Sequence, residues 1–173
     1  MIITVNELKK NEKFDAYPDD VLEAKLKAIE QSIRSYTHNN FQNRMVRNNL
    51  PSKDGVLVGE VLYLSVGDTV QISKSINKGL YTVAEIANDT IACDESLFDS
   101  GKNLVTKVEY PADVVEGVKN MMLWEVDGRA KVGVKQESLS RHSVTYFDMD
   151  TNSTVGYPSS LLGFLVPYMR ANI

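Results

Sequence analysis

The chain has two imidazoles, His38 in His38-Asn39-Asn40 and His142 in Ser140-Arg141-His142-Ser143. A Ser-His-Asp relay can be assembled on paper around His142. The Gly-x-Ser-x-Gly turn that presents a serine nucleophile is missing, so two surface or interface histidines are the simpler account. A small hydrolase using His142 is the third reading of the chain, and loss of activity in His142→Ala would support it. Asp148-Met149-Asp150-Thr151-Asn152 opens like a calcium loop. Ser153 then stands where the sharp turn needs Gly, and Ser159 where a bidentate Glu is needed, which leaves a polar turn. Between Gly128 and Lys135 the glycines and lysines suggest a phosphate loop, but Val134 separates Gly133 from Lys135 and Gln136 follows. Nucleotide binding is rejected on that spacing. Cys93, between Ala92 and Asp94, reads as inert packing, and as the single cysteine it offers neither a disulfide nor a zinc cage. Asn88-Asp89-Thr90 and Asn152-Ser153-Thr154 fit glycosylation sequons but read as polar turns. The expectation is a protein without enzymatic activity, cofactor or metal.

One charged feature survives this screen. Arg129, Lys131, Lys135 and Arg141 face a single acid, Glu137, within residues 129–141. The plain account is a solvated surface loop. The functional account is a basic arm that contacts an acidic neighbour or a nucleic-acid backbone.

These residues sit in a 173-residue chain that is 43% hydrophobic and 24% charged. That is enough for one domain, or one domain with an insertion, and it excludes disorder or a fibrous repeat. No apolar run approaches the ~20 residues of a spanning helix. The start, MIITVNELKK, lacks the pattern of a signal peptide. A protein made in a reducing cytoplasm, with no membrane partner, is expected. The formal charge of -4 argues against broad, counterion-driven nucleic-acid binding. Residues 55–110 hold four basic and eight acidic side chains, whereas both flanks are nearly balanced.

The pattern of apolar residues changes at the same places. Thr4 and Glu7 have capping-box spacing for a short helix. Pro18-Asp19-Asp20 opens a longer one, with Leu22, Leu26, Ile29, Ile33 and Tyr36 on one face and Glu23, Lys27, Glu30 and Arg34 on the other. His38-Asn39-Asn40 ends it. Five strands are predicted next, at 56–65, around 70–72, 80–87, 90–93 and 104–110, punctuated by turn residues. Pro111 opens a helix that Asp127-Gly128 closes. Residues 129–156 read as a long polar connection, and a last helix begins at Tyr157-Pro158, with Leu161, Leu162, Leu165 and Tyr168 inward and Pro167 able to kink it. The fold class expected is α+β: a small helical bundle of residues 1–54 and 110–173, carrying an inserted antiparallel, barrel-like domain of SH3 size at 55–109.

Several of these segments recur in a known order. They are the helix end Ile33-Arg34-Ser35-Tyr36-Thr37-His38-Asn39-Asn40-Phe41-Gln42-Asn43-Arg44, the turns Gly67-Asp68-Thr69-Val70 and Asn77-Lys78-Gly79-Leu80-Tyr81, the helix start Tyr110-Pro111-Ala112-Asp113-Val114, the run from Gly133 to Tyr146, and Tyr157-Pro158 with Leu161, Leu165 and Tyr168. Together they resemble the head-tail connector (adaptor, or head-completion) proteins of long-tailed phages, especially phages of Gram-positive bacteria. The resemblance implies a structural virion protein at the head-tail neck, made in the host cytoplasm. It would bind the portal protein after DNA packaging and form a ring with itself, commonly of twelve copies. That ring would lengthen the DNA channel, without sequence-specific DNA contact, and dock a stopper or tail-completion protein. On this reading the interface with subunit or portal comprises Arg129, Lys131, Lys135, Glu137, Ser138, Arg141, His142 and Tyr146 on the arm, and Asp19, Asp20 and Glu23 on the first long helix. The alternative is a nucleic-acid-binding module using the small barrel, although Tyr63 and Tyr81 are nearly all it offers for base stacking.

Overall fold

Thr4 begins helix α1 (Val5–Leu8) as the capping spacing predicts, its Oγ1 accepting the Glu7 amide at 3.2 Å. The computed structural model describes residues 1–127, 136–139, 142–145 and 153–171. Within these the chain forms two compact units, Asn40–Glu109 and, around it in sequence, Met1–Asn39 with Tyr110–Ile173.

The discontinuous unit is helical. Helix α2 (Asp19–Thr37) buries Leu22, Leu26, Ile29 and Ile33, each at most 3% exposed. Burying one such side chain stabilises a fold by about 1.5–3 kcal/mol. His38 ends the helix in the left-handed region at φ 50°. Helix α3 (Ala112–Asp127) adds Val114, Val118, Met121 and Met122 to the buried set. Three residues depart from the expected pattern. Tyr36, expected on the buried face, is only half-buried. Glu30 and Arg34, read as solvent-facing, are buried, because the stripe that α2 covers is wider than its aliphatic residues mark.

The end of the chain is also corrected. In place of a final α-helix there are two 3-10 segments, Ser159–Leu161 and Gly163–Tyr168, the second containing Pro167. A proline removes an amide donor, and Gly163 adds backbone freedom, so longer α-helical pairing is not sustained. Leu162 and Leu165 are buried as expected, but Leu161 and Tyr168 are only half-buried. The connection read as aperiodic holds an antiparallel hairpin, β7 (Gln136–Leu139) with β8 (His142–Thr145), and a short pair, β9 (Ser153–Thr154) with β10 (Tyr157–Pro158).

The continuous unit is an antiparallel sheet of six strands: β1 (Gln42–Lys53), β2 (Val56–Val58), β3 (Thr69–Ser73), β4 (Gly79–Ala87), β5 (Thr90–Cys93) and β6 (Ser100–Val108). Their order is β1-β2-β5-β4-β3-β6, and β6 pairs back with β1, so the sheet closes on itself. Closure removes the free edges of an open sheet. Leu50, Leu57, Val70, Ile72, Val83, Ile91, Leu97 and Val105 fill the interior.

This corrects the expected N-terminal boundary at 54/55. Strand β1 belongs to the sheet, and the compact unit starts at Asn40. The long strand expected at 56–65 stops at Val58, because Gly59 turns the chain at φ 124° and Tyr63 takes φ 64°. Residues 59–68 cap the sheet, with Val61 and Leu64 packed against its core. The chain enters and leaves the unit side by side: Gln42 pairs with Val108, and the Glu109 amide donates to the Phe41 carbonyl at 2.9 Å.

Candidate interaction surfaces

The acidic start of α2 follows from helix physics, since carboxylates near an N-terminus oppose the positive end of the helix dipole. Asp19 and Asp20 are exposed and Glu23 is half-exposed. Local cations already claim two of the three. Lys9 Nζ lies 2.5 Å from Asp19, and Lys27 pairs with Glu23 at 3.0 Å, one helical turn on. Such exposed pairs contribute little to stability and leave the carboxylates open to a partner.

Of the arm, Glu137 and Ser138 stand on β7 and His142 on β8, where Leu139 pairs with His142 across the hairpin. Arg129, Lys131, Lys135, Arg141 and Tyr146 lie outside the described residues. The calcium-like stretch 148–152 and the phosphate-loop-like stretch 128–135 also lie outside them.

Two buried polar groups went unnoticed in the sequence. On α2, Glu30 accepts the Tyr110 hydroxyl at 2.7 Å, and Arg34 donates to that same oxygen at 3.3 Å. Burial, then the Glu30 charge and its hydrogen bond, push the Tyr110 hydroxyl far above its ordinary pKa. Nearby, Lys25 Nζ meets Glu125 Oε2 at 2.7 Å, joining α2 to α3 through a carboxylate that is 2% exposed. Both are structural pairings. Their spacing of 80 and 100 residues hides them from any local reading.

A third network ties one end of the closed sheet. The Asn77 side-chain amide donates to the Phe98 carbonyl at 2.8 Å, to Asn103 Oδ1 at 3.0 Å and to Ser52 Oγ at 3.1 Å. Its oxygen accepts the Phe98 amide at 2.8 Å. Asn103 in turn donates to the Leu50 carbonyl and to Ser52 Oγ, while Ser75 donates to Asn103. Asn77, Asn103 and Ser52 are nearly fully buried, so the bonds among them are made where water cannot replace them.

Cys93 is half-buried, and burial, with Asp94 beside it, pushes its thiol up to about 11, which keeps it protonated and unreactive. His38 is exposed at a helix end. Among the described residues no three His, Cys, Asp or Glu side chains gather as a metal site, and no helix is long and apolar enough to cross a membrane. The molecule is an α+β protein in which a closed antiparallel sheet interrupts a helical unit in sequence. The chain matches no protein-family model and no curated protein.

Proposed function

We propose that the chain is a structural head-tail connector: a small helical bundle carrying an SH3-sized barrel, assembled as a ring beneath the portal of a long-tailed phage. The observation that carries this reading is the architecture. A helical core is built from both flanks of the sequence, and the closed sheet leaves it through two adjacent strand ends. An insertion of that form adds a surface without disturbing the core.

In a ring, each copy presents one surface to the neighbour before it and a different one to the neighbour after it, a heterologous contact that closes when the rotation per subunit fits. The acidic start of α2 is assigned to one side, and the arm from Arg129 to Tyr146 to the other side or to the portal. A chain of this size folds without assembly, so the free protein is mostly monomeric and the portal templates the ring by raising local concentration.

The experiment mixes purified protein with DNA-filled, portal-bearing heads and images the neck. Wild type is expected to add a ring, and Arg141→Glu to stay folded yet leave heads that leak DNA. Compact dimers with no ring on portals would overturn the reading. A sequence-independent DNA complex in place of a ring would favour the nucleic-acid module.

A further inference from the structure

The closed sheet leaves large apolar side chains in water at both of its ends. Strand pairing shows that the ends are opposite. Thr69 opens β3 across from Val108, and Gln42, at the start of β1, pairs with Val108 as well, whereas Ser73 closes β3 across from Leu104. Residues 59–68 therefore stand at the end where β3 begins, and residues 74–77 at the end where it finishes. At the first end Val61 and Leu64 pack on the core, while Leu62, Tyr63 and Val66 are exposed. The Lys107 ammonium lies 3.2 Å from the Tyr63 carbonyl, 2.8 Å from Asp68 and 3.6 Å from Glu109. Glu109 accepts the Asn43 side-chain amide, and Asn43 Oδ1 accepts the amide of Met45, itself 94% exposed. This chain of contacts brings Met45 to the same end. Tyr63, 82% exposed, is held at φ 64°, a conformation that bulky residues adopt at a cost. Burial does not explain that strain, and strain kept without a structural return marks a functional position. At the opposite end Phe98, bonded at its amide and carbonyl to Asn77, and Ile76, next to Asn77, are 68% and 73% exposed.

Neither end carries charge of one sign. Around Ile76 and Phe98 the exposed lysines are Lys53, Lys74, Lys78 and Lys102. Asp54, Asp94, Glu95 and Asp99, equally exposed, offset them. At the first end Arg44 and Glu60 are exposed, and Lys107 is already paired. The contact that each end offers is apolar. Met45, Leu62, Tyr63 and Val66 leave on the order of 500 Å² of apolar surface in water, and Ile76 and Phe98 on the order of 250 Å². A standard interface of about 1,600 Å², counted over both partners, holds about 900 Å² of apolar area. One patch set against the other comes close to that figure, whereas either set against itself leaves the other in water. A second copy is the one partner whose single kind of contact covers both ends. Because the two ends are unlike and opposite, the contact runs head to tail, the kind that closes into a ring when the rotation per subunit fits.

We propose that Met45, Leu62, Tyr63 and Val66, at one end of the closed sheet, dock on Ile76 and Phe98 at the opposite end of the sheet in a second copy of this chain. The proposal rests on the ring reading and gives that ring a lateral, apolar contact.

The test is sedimentation equilibrium of the full-length protein, up to the millimolar concentrations that templating supplies. Wild type, monomeric when dilute, should associate beyond the dimer, and as well near 1 M salt, where the Debye length is about 3 Å. Leu62→Ser/Tyr63→Asn at one end and Ile76→Ser/Phe98→Ser at the other should each weaken association about tenfold or more, with unchanged circular dichroism. Asn takes a left-handed backbone more readily than Tyr, so the first variant keeps its fold. Mixed in equal amounts, the two variants should regain the wild-type affinity yet stop at dimers, because each copy retains one intact end. A variant that alone associates as wild type does, or a mixture no tighter than its parts, would overturn the contact. Dissociation near 1 M salt would overturn it as well, by marking the association as electrostatic. Wild type that stays monomeric while portals still gain a ring would overturn the contact, leave the ring standing and give the two ends to another protein. Restored dimers in the mixture, with no ring on portals, would keep the contact and remove the ring.

Discussion

Asn77 is the residue on which the end of the sheet depends most. Asn77→Ala would leave the Phe98 amide without its side-chain partner and remove one bond each from the Phe98 carbonyl, Ser52 and Asn103, which keep bonds to one another and to Ser75. An orphaned group at a partly buried site costs about 1–3 kcal/mol, so a loss in that range is expected. It would be read as a lower urea midpoint at unchanged slope. Tyr110 makes a different prediction, about pH. Its hydroxyl is held above the ordinary 10.0, chiefly by burial and then by Glu30. The folded protein therefore keeps a proton that the unfolded chain loses. That contribution to stability is complete below pH 10 and is lost as pH rises past it. Tyr110→Phe should cost about 1.5–3 kcal/mol near neutrality, through the lost bond to a charged group, yet show a shallower decline above about pH 10. Part of the decline should remain, because Tyr81 and Tyr168 are also shifted upward. Urea midpoints across the alkaline range check both halves. None of these partnerships is legible in sequence. Tyr110 reads as the residue before a helix-opening proline, and its partners sit 76 and 80 positions away.

At the scale of elements, α3 makes the sharpest claim. An alanine inside a helix ordinarily stabilises it by about 1 kcal/mol over glycine. At Gly117 a Cβ would stand 2.4 Å from the Phe164 ring. Gly117→Ala should therefore lose about 1–2 kcal/mol through overpacking. In a Phe164→Leu background the same substitution should become neutral or stabilising, and a double-mutant cycle on thermal unfolding measures the difference. The helices themselves were readable, because capping residues and four-three spacing are local signals. Strand β1 was not. Its sequence QNRMVRNNLPSK buries only Val46, Leu50 and Ser52, and Pro51 falls at a register shift against β6. A strand that polar forms because its neighbours on both sides, β2 and β6, complete its hydrogen bonds.

For the whole molecule, the two units make excision a decisive experiment. Replacing Asn40–Glu109 with a short Gly/Ser linker should leave the helical circular-dichroism signal largely intact, since the Phe41 and Glu109 ends are already hydrogen-bonded neighbours. Replacing only residues 55–109 should yield an aggregating protein, because β1 would be stranded with an open edge. Collapse of the helical signal in the first variant would show that the sheet is integral to the helical core. The sequence by itself determined α1, α2 and α3, most of the short strands, the buried face of α2 apart from Glu30, Arg34 and Tyr36, and the shift from helix to sheet and back. Those depend on periodicity and turn chemistry within a few residues. Only the tertiary structure decided that β1 closes the sheet, that the final segment is 3-10, and that Lys53, Lys74, Lys78 and Lys102 share one end of a segment whose overall charge is acidic. Charge totals and local spacing carry no information about which loops meet. That is decided by burial and by hydrogen bonds between residues far apart in the chain, such as Asn77 with Ser52 and Asn103.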